Sequence, residues 1–163
     1  MKKKLLFITR GDGSFAEGFS YVIELARSMN SGVSILFVYK KKTIGSYEDI
    51  MAAAAFAQAG EFRSAKELLK EQEKETEELA QQQFIELRNI CGEYQADLTY
   101  RSYIGDPLPA IKDFLKNNSG IDMVLISNNF SFRKKGRELM KLIKNITKPI
   151  VSISAPMQPD AQG

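Results

Sequence analysis

Lys4-Leu-Leu-Phe-Ile-Thr-Arg-Gly-Asp-Gly-Ser14 decides the fold. Leu5 to Thr9 is a short, nearly continuous apolar run, the pattern of a strand buried on both faces. Gly11-Asp-Gly-Ser14 breaks it. Phe15, Phe19, Val22, Ile23 and Ala26 then recur at helical spacing, with Asn30 and Gly32 as stop signals. Val33 to Tyr39 is again apolar and β-branched, and Lys40, Lys41 and Lys42 end it in solvent. A strand, a helix and a strand in this span make a β-α-β unit, whose two strands lie parallel.

The rest of the chain continues the alternation. Ser46 to Tyr94 is helical by composition, with Gly60 as an interruption after the helix formers Ala52 to Ala57. A longer helix follows, and its expected apolar stripe is Leu68, Leu69, Leu79, Leu87 and Ile90. The centre of that helix, Lys70 to Glu78, has almost no apolar face and reads as a solvent-projecting stretch supported by i,i+4 charge pairs. Ala96 to Tyr103 alternates like a strand. Gly105-Asp106-Pro107 starts a helix with Asp as N-cap and Pro in the first turn, and Ile111, Phe114 and Leu115 are its inner stripe. Met123 to Ile126 is a fourth strand. Leu139, Leu142, Ile143 and Ile146 mark a fourth core helix, and Ile150 to Ser154 a last strand. The expectation is a single α/β domain over residues 1–154. Its core is a doubly wound, five-stranded parallel sheet with helices on both faces and a long helical insertion between strands 2 and 3. Residues 155–163 read as a flexible tail.

Composition narrows the chemistry. The 163 residues are 44% apolar and 26% charged, which is the balance of a globular domain. There is no histidine and one cysteine, Cys91, so a Ser-His-Asp triad, a Cys-His dyad, a His-containing zinc site and an intrachain disulfide are excluded. Cys91 lies on the apolar side of its helix and is expected to be buried rather than redox-active. The apolar stretch after Lys2, Lys3 and Lys4 stops at Thr9, short of the ~7–15 residues of a signal core. No run approaches the ~18 apolar residues of a membrane span. The chain reads as cytoplasmic, with no membrane partner.

Lys4 to Thr9, Ile23-Glu-Leu-Ala26, Val33 to Val38, Gly105-Asp-Pro107, Asp122 to Ile126 and Thr147 to Val151 follow one another in an order that resembles the universal stress protein family. The likeness runs from Lys4 to about Ser154. It implies the strand order 3-2-1-4-5 and dimerisation through the last strand, here Ile150, Val151, Ser152 and Ile153. ATP-binding members of that family carry an Asp at the end of the first strand and a G-x2-G-x9-G-[ST] loop after the fourth. Here the Asp position is Arg10, the first loop glycine is Ser127, the second has no counterpart, and the last glycine is Gly136 followed by Arg137. Arginine has no acceptor for a sugar or base, and side chains in place of glycines obstruct a phosphate cradle. The resemblance therefore implies a degraded ATP pocket and no expected cofactor, with ATP or AMP kept as the alternative.

In a sheet of this kind ligands sit beyond the carboxyl ends of the strands. The candidate pocket positions are Thr9, Arg10, Gly11, Val38, Ile126, Ser127, Gly136 and Arg137. Gly11, Gly13 and Gly18 read either as an anion-binding turn at the start of the helix or as a plain strand-helix turn. Val38 and Ile126 read either as walls of an adenine-sized slot or as strand-end core. From Arg133 to Lys148 seven basic side chains face Glu138 alone, a net of +6. This segment is solvated helix surface or, with Arg10, Arg133 and Arg137, an anion site. Nucleic acid is not the expected partner, because no aromatic-basic module accompanies the charges. Tyr47, Ile50, Met51 and Phe56 have no place in a five-strand core. They pack over the sheet edge or form a docking surface for a protein partner. The resemblance, with its degraded loop and the long middle of the chain, implies a non-catalytic stress-response or signalling homodimer that binds a partner. The alternative is an ATP/AMP sensor with a rearranged pocket.

Overall fold

A computed structural model describes residues 3–11, 13–40, 65–92, 97–127, 144 and 148–153. Strand β1 is Lys4–Arg10, helix α1 Phe19–Met29, and strand β2 Gly32–Tyr39. Helix α2 runs Ala65–Ile90, followed by strand β3 at Leu98–Ile104 and helix α3 at Pro107–Asn117. Strands β4, Ile121–Ile126, and β5, Ile150–Ser152, complete the sheet. Its five strands stand in the order β3-β2-β1-β4-β5, and every pairing is parallel. The insertion helix is the one expected from the sequence, and the strand order is the one the resemblance implies.

Parallel pairing explains the continuous apolar runs. All eight residues of β2 are buried, because helices cover both of its faces. Leu5, Phe7, Val33, Ile35, Phe37 and Leu125 point to one side, where α1 and α2 pack. Leu6, Ile8, Leu36, Val38, Val124 and Ile126 point to the other, against Ala110 and Ile111 of α3. The first face carries most of the aromatic mass: Phe7 meets Phe19 of α1 with ring centroids 5.7 Å apart. Burying a side chain of that size contributes about 1.5–3 kcal/mol relative to leaving it exposed.

The ends of the helices follow their local chemistry. Asn30 closes α1 in the left-handed region, at φ 51°, where its amide N–H reaches the carbonyls of Ala26 and Arg27. Asp106 caps α3, its carboxylate accepting from the Leu108 amide at 3.0 Å, with Pro107 in the first turn. Gly18, at φ 85°, enters α1, and a Cβ there would lie 2.9 Å from Cγ2 of Ile153. Glycine at this point lets the chain after β5 close over the start of α1.

The insertion helix departs from its expected face. Leu87 is buried, but Leu79 and Ile90 are 41% and 46% exposed. Among the described side chains the inward stripe is Gln72, Thr76, Ala80, Gln83 and Leu87, which follow one another at helical spacing; the side chains of Leu68 and Leu69 lie outside the described residues. The Lys70–Glu78 stretch therefore does not project wholly into solvent, since Gln72 and Thr76 are both 8% exposed. At about 1.5 Å per residue the 26 residues of α2 span about 39 Å, against about 26 Å for the eight of β2. The helix overhangs the strands. Strand β3 begins at Leu98 and ends at Ile104, slightly later than the alternation from Ala96 suggests. The expected segment Ser46–Phe62, the helix around Leu139, Leu142, Ile143 and Ile146, and the tail lie outside the described residues. Among the described residues no helix is long and apolar enough to cross a membrane.

Candidate functional site

The strand order reverses at β1, which is flanked by β2 and β4. The crevice beyond their carboxyl ends is where a ligand would enter such a sheet. Register brings most of the nominated residues to this rim. Arg10 lies opposite Val38, and Ile8 opposite Ile126. The Ser127 amide donates to the Ile8 carbonyl at 2.9 Å, and the Gly11 amide to the Val38 carbonyl at 3.0 Å. Thr9, Arg10, Gly11, Val38, Ile126 and Ser127 thus surround the end of β1. Gly136 and Arg137 lie outside the described residues, as does Arg133.

Their side chains do not all face a ligand. Thr9 is fully buried, and its hydroxyl donates to the Phe15 carbonyl at 3.1 Å, which ties the β1–α1 loop back to its strand. Val38 and Ile126 are 0% and 2% exposed within the apolar cluster under α3. Of the two readings left open for them, strand-end core is the one the packing matches. Arg10 is half-buried and Ser127 buried.

Two residues at the rim carry no mark in the sequence motif. A Cβ on Gly11 would sit against Cε1, Cζ and Oη of Tyr39, the last at 2.7 Å. Gly11 is glycine because the Tyr39 ring lies directly on its Cα, and its φ is outside the left-handed range. Gly13, by contrast, has nothing within 4 Å of an added Cβ among the described residues. The Tyr39 hydroxyl donates to Oε1 of Gln83 at 2.6 Å, and Nε2 of Gln83 donates to the Gly11 carbonyl at 2.6 Å. Tyr39, Gln83 and Gly11 form a buried hydrogen-bonded chain from β2 through α2 to the end of β1. The signal for Gln83 was its spacing from Ala80 and Leu87, which places it underneath the helix despite its polarity.

A second polar tie joins the helix to the same end of the sheet: Nε2 of Gln72 donates to the Lys40 carbonyl at 3.2 Å. Beside it an open groove of about 740 Å³ lies between α2 and the end of β3, lined by Lys70, Lys74, Thr76, Ser102, Tyr103 and Ile104 among others. Among the described residues no cluster of three or more Cys, Asp and Glu could hold a metal ion. Cys91 is buried at the end of α2, and desolvation by burial pushes its thiol above the ordinary range, consistent with a packing role.

At one edge of the sheet, β5 pairs only with β4 among the described strands. Ser152 is exposed, Ile150 and Val151 are half-buried, and the Ile153 side chain is buried in the core of its own domain. The Ile153 amide donates to the Ile126 carbonyl at 2.8 Å. Tyr47, Ile50, Met51 and Phe56 lie outside the described residues.

No protein-family model and no curated protein sequence matches the chain. Solved structures do match it. The universal stress protein UspA from Lactobacillus plantarum is 14% identical, with 94% of this chain and 100% of that chain covered and a TM-score of 0.58. The universal stress protein from Archaeoglobus fulgidus, determined in complex with dAMP, is also 14% identical, with 94% and 98% covered and a TM-score of 0.53. At this identity the likeness is one of fold, and it extends over nearly the whole of both chains. The five parallel strands in the order β3-β2-β1-β4-β5, with the long helix between the second and third, give this chain an α/β fold like that of the universal stress proteins.

Proposed function

We propose that the protein is a non-catalytic stress-response or signalling module, a homodimer that acts in the cytoplasm by binding a partner protein, with an ATP pocket that is degraded. One observation carries this reading: the ground beside the end of β1 is taken by the protein's own side chains. The Tyr39 ring covers Gly11, and Gln83 engages the Gly11 carbonyl. Val38 and Ile126 are packed as core. The substitutions Arg10, Ser127 and Arg137 in the nucleotide motif point the same way, because none supplies what the motif residues supply. Pairing of two copies along β5 is supported by its place at the sheet edge. There Ile150, Val151 and Ser152 would offer main chain and outer side chains, while Ile153 would contribute main chain alone. Docking of a protein on Tyr47, Ile50, Met51 and Phe56 rests on the sequence.

A second reading keeps the nucleotide, as an ATP/AMP sensor with a rearranged pocket. It is favoured by the dAMP complex of the Archaeoglobus fulgidus protein, whose fold this chain shares. Calorimetric titration of nucleotide-free protein with ATP and AMP separates the two. No heat and no thermal shift at millimolar nucleotide is the expected result, to be followed by pull-downs with and without residues 46–62. Micromolar binding would transfer the assignment to the sensor. Arg10→Asp, which restores the acidic residue alone, is expected to leave ATP binding undetectable in the same titration, because the phosphate-binding glycines remain absent.

A further inference from the structure

Two routes run from the β1–α1 loop to one turn of α2. The polar route joins the Gly11 carbonyl to Nε2 of Gln83 at 2.6 Å, and Oε1 of Gln83 to the Tyr39 hydroxyl at 2.6 Å. The apolar route is a row of rings. Phe15 of the loop meets Phe37 edge-on at 6.2 Å, Phe37 meets Tyr100 at 6.3 Å, and Tyr100 stacks on Phe84 at 4.5 Å. Gln83 and Phe84 are consecutive in the helix. The loop is held at Gly11 and again at Phe15, and both holds end on α2.

We infer that Gln83 and Phe84 make α2 a latch on the β1–α1 loop, so that the seating of the insertion helix sets whether the strand-end crevice is closed or open. This coupling goes beyond partner binding and stands on contacts among the described residues alone. A buried glutamine is a demanding way to cover a sheet, since both ends of its amide require partners where leucine requires none. Here both ends are satisfied, and they can be satisfied at one seating of the helix only. A slip of one residue moves the side chain about 1.5 Å along the axis and turns it about 100°, which breaks both bonds together. Ring contacts tolerate sliding, but the amide does not. Among the described side chains, the inward residues in the N-terminal half of α2 are the polar Gln72 and Thr76. Coupling of this kind is reciprocal: whatever displaces α2 frees the loop, and whatever forces the loop displaces α2.

Hydrogen exchange on the full chain tests the latch, with peptides covering Arg10–Gly18, Ala80–Leu87 and Ile121–Ile126. In Gln83→Leu the loop peptide is expected to exchange roughly ten-fold faster relative to the β4 peptide. Tyr39→Phe keeps the ring and the Gln83–Gly11 bond, and is expected to give a smaller local rise, roughly two- to five-fold. From the other end, Gly11→Ala pushes the Tyr39 ring and is expected to speed exchange at Ala80–Leu87 ahead of Ile121–Ile126. An even rise across all three peptides, or a loop that keeps its wild-type exchange in Gln83→Leu, overturns the latch. Should Gln83→Leu not fold, Tyr39→Phe decides: a rise confined to the first two peptides supports the coupling, and none overturns it.

Discussion

Tyr39→Ala is expected to lower the unfolding free energy by about 3–5 kcal/mol, the range for removing a buried aromatic side chain. Tyr39 is 5% exposed, and its ring fills the space between Gly11 and α2. Its loss leaves a cavity against Gly11 and removes the donor that Oε1 of Gln83 accepts from. An unsatisfied buried acceptor costs about 1–3 kcal/mol by itself, though the two losses overlap and do not simply add. Tyr39→Phe isolates the hydroxyl and is expected to cost about 1–2 kcal/mol. Urea unfolding followed by far-UV circular dichroism measures both, and the midpoint should fall with little change in slope. Equal losses for the two variants would show that the ring does not fill the space assigned to it.

Gly11→Ala carries the second large effect, a loss of about 1–3 kcal/mol from overpacking. The backbone at Gly11 is not in the left-handed region, so the whole penalty comes from the added methyl meeting the Tyr39 ring. A double-mutant cycle makes this specific. In the Tyr39→Ala background Gly11→Ala should become nearly neutral, because the obstructing ring is gone. Gly13→Ala, two residues on and with nothing within 4 Å among the described residues, should stay within about 0.5 kcal/mol of wild type. A cost for Gly11→Ala that persists without Tyr39 would assign the glycine to the turn itself. The anion-binding reading of this loop would then regain support.

The sheet was legible where burial left no choice. Leu5 to Thr9 and Val33 to Tyr39 had to be apolar on both faces, and their continuous runs announce it. Asp106-Pro107 announces α3 because capping is a local interaction between residues close in sequence. The face of α2 was harder to read. Leucines suggest an inward stripe, yet tertiary bonding makes Gln72 and Gln83 inward residues by giving their amides partners at Lys40, Tyr39 and Gly11. No pattern within the helix encodes partners that far away in the chain. For the same reason the rim residues Thr9, Arg10, Gly11, Val38, Ile126 and Ser127 could be gathered from topology. The position of the Tyr39 ring on Gly11 required the packed structure.

The place of β1 in the sheet also has a cost during synthesis. It is the first of these five strands to be made and the central one, with β2 on one side and β4 on the other. Between completion of β2 at Tyr39 and of β4 at Ile126 the ribosome adds 87 residues, which takes about 4–17 s at ordinary elongation rates. Throughout that interval a nascent β1–α1–β2 unit presents one flank of β1 with its main-chain donors and acceptors unsatisfied, the condition in which strands join the wrong neighbour. Lys4 and Arg10 bracket the strand, and their charges are its only deterrents along Leu5, Leu6, Phe7, Ile8 and Thr9.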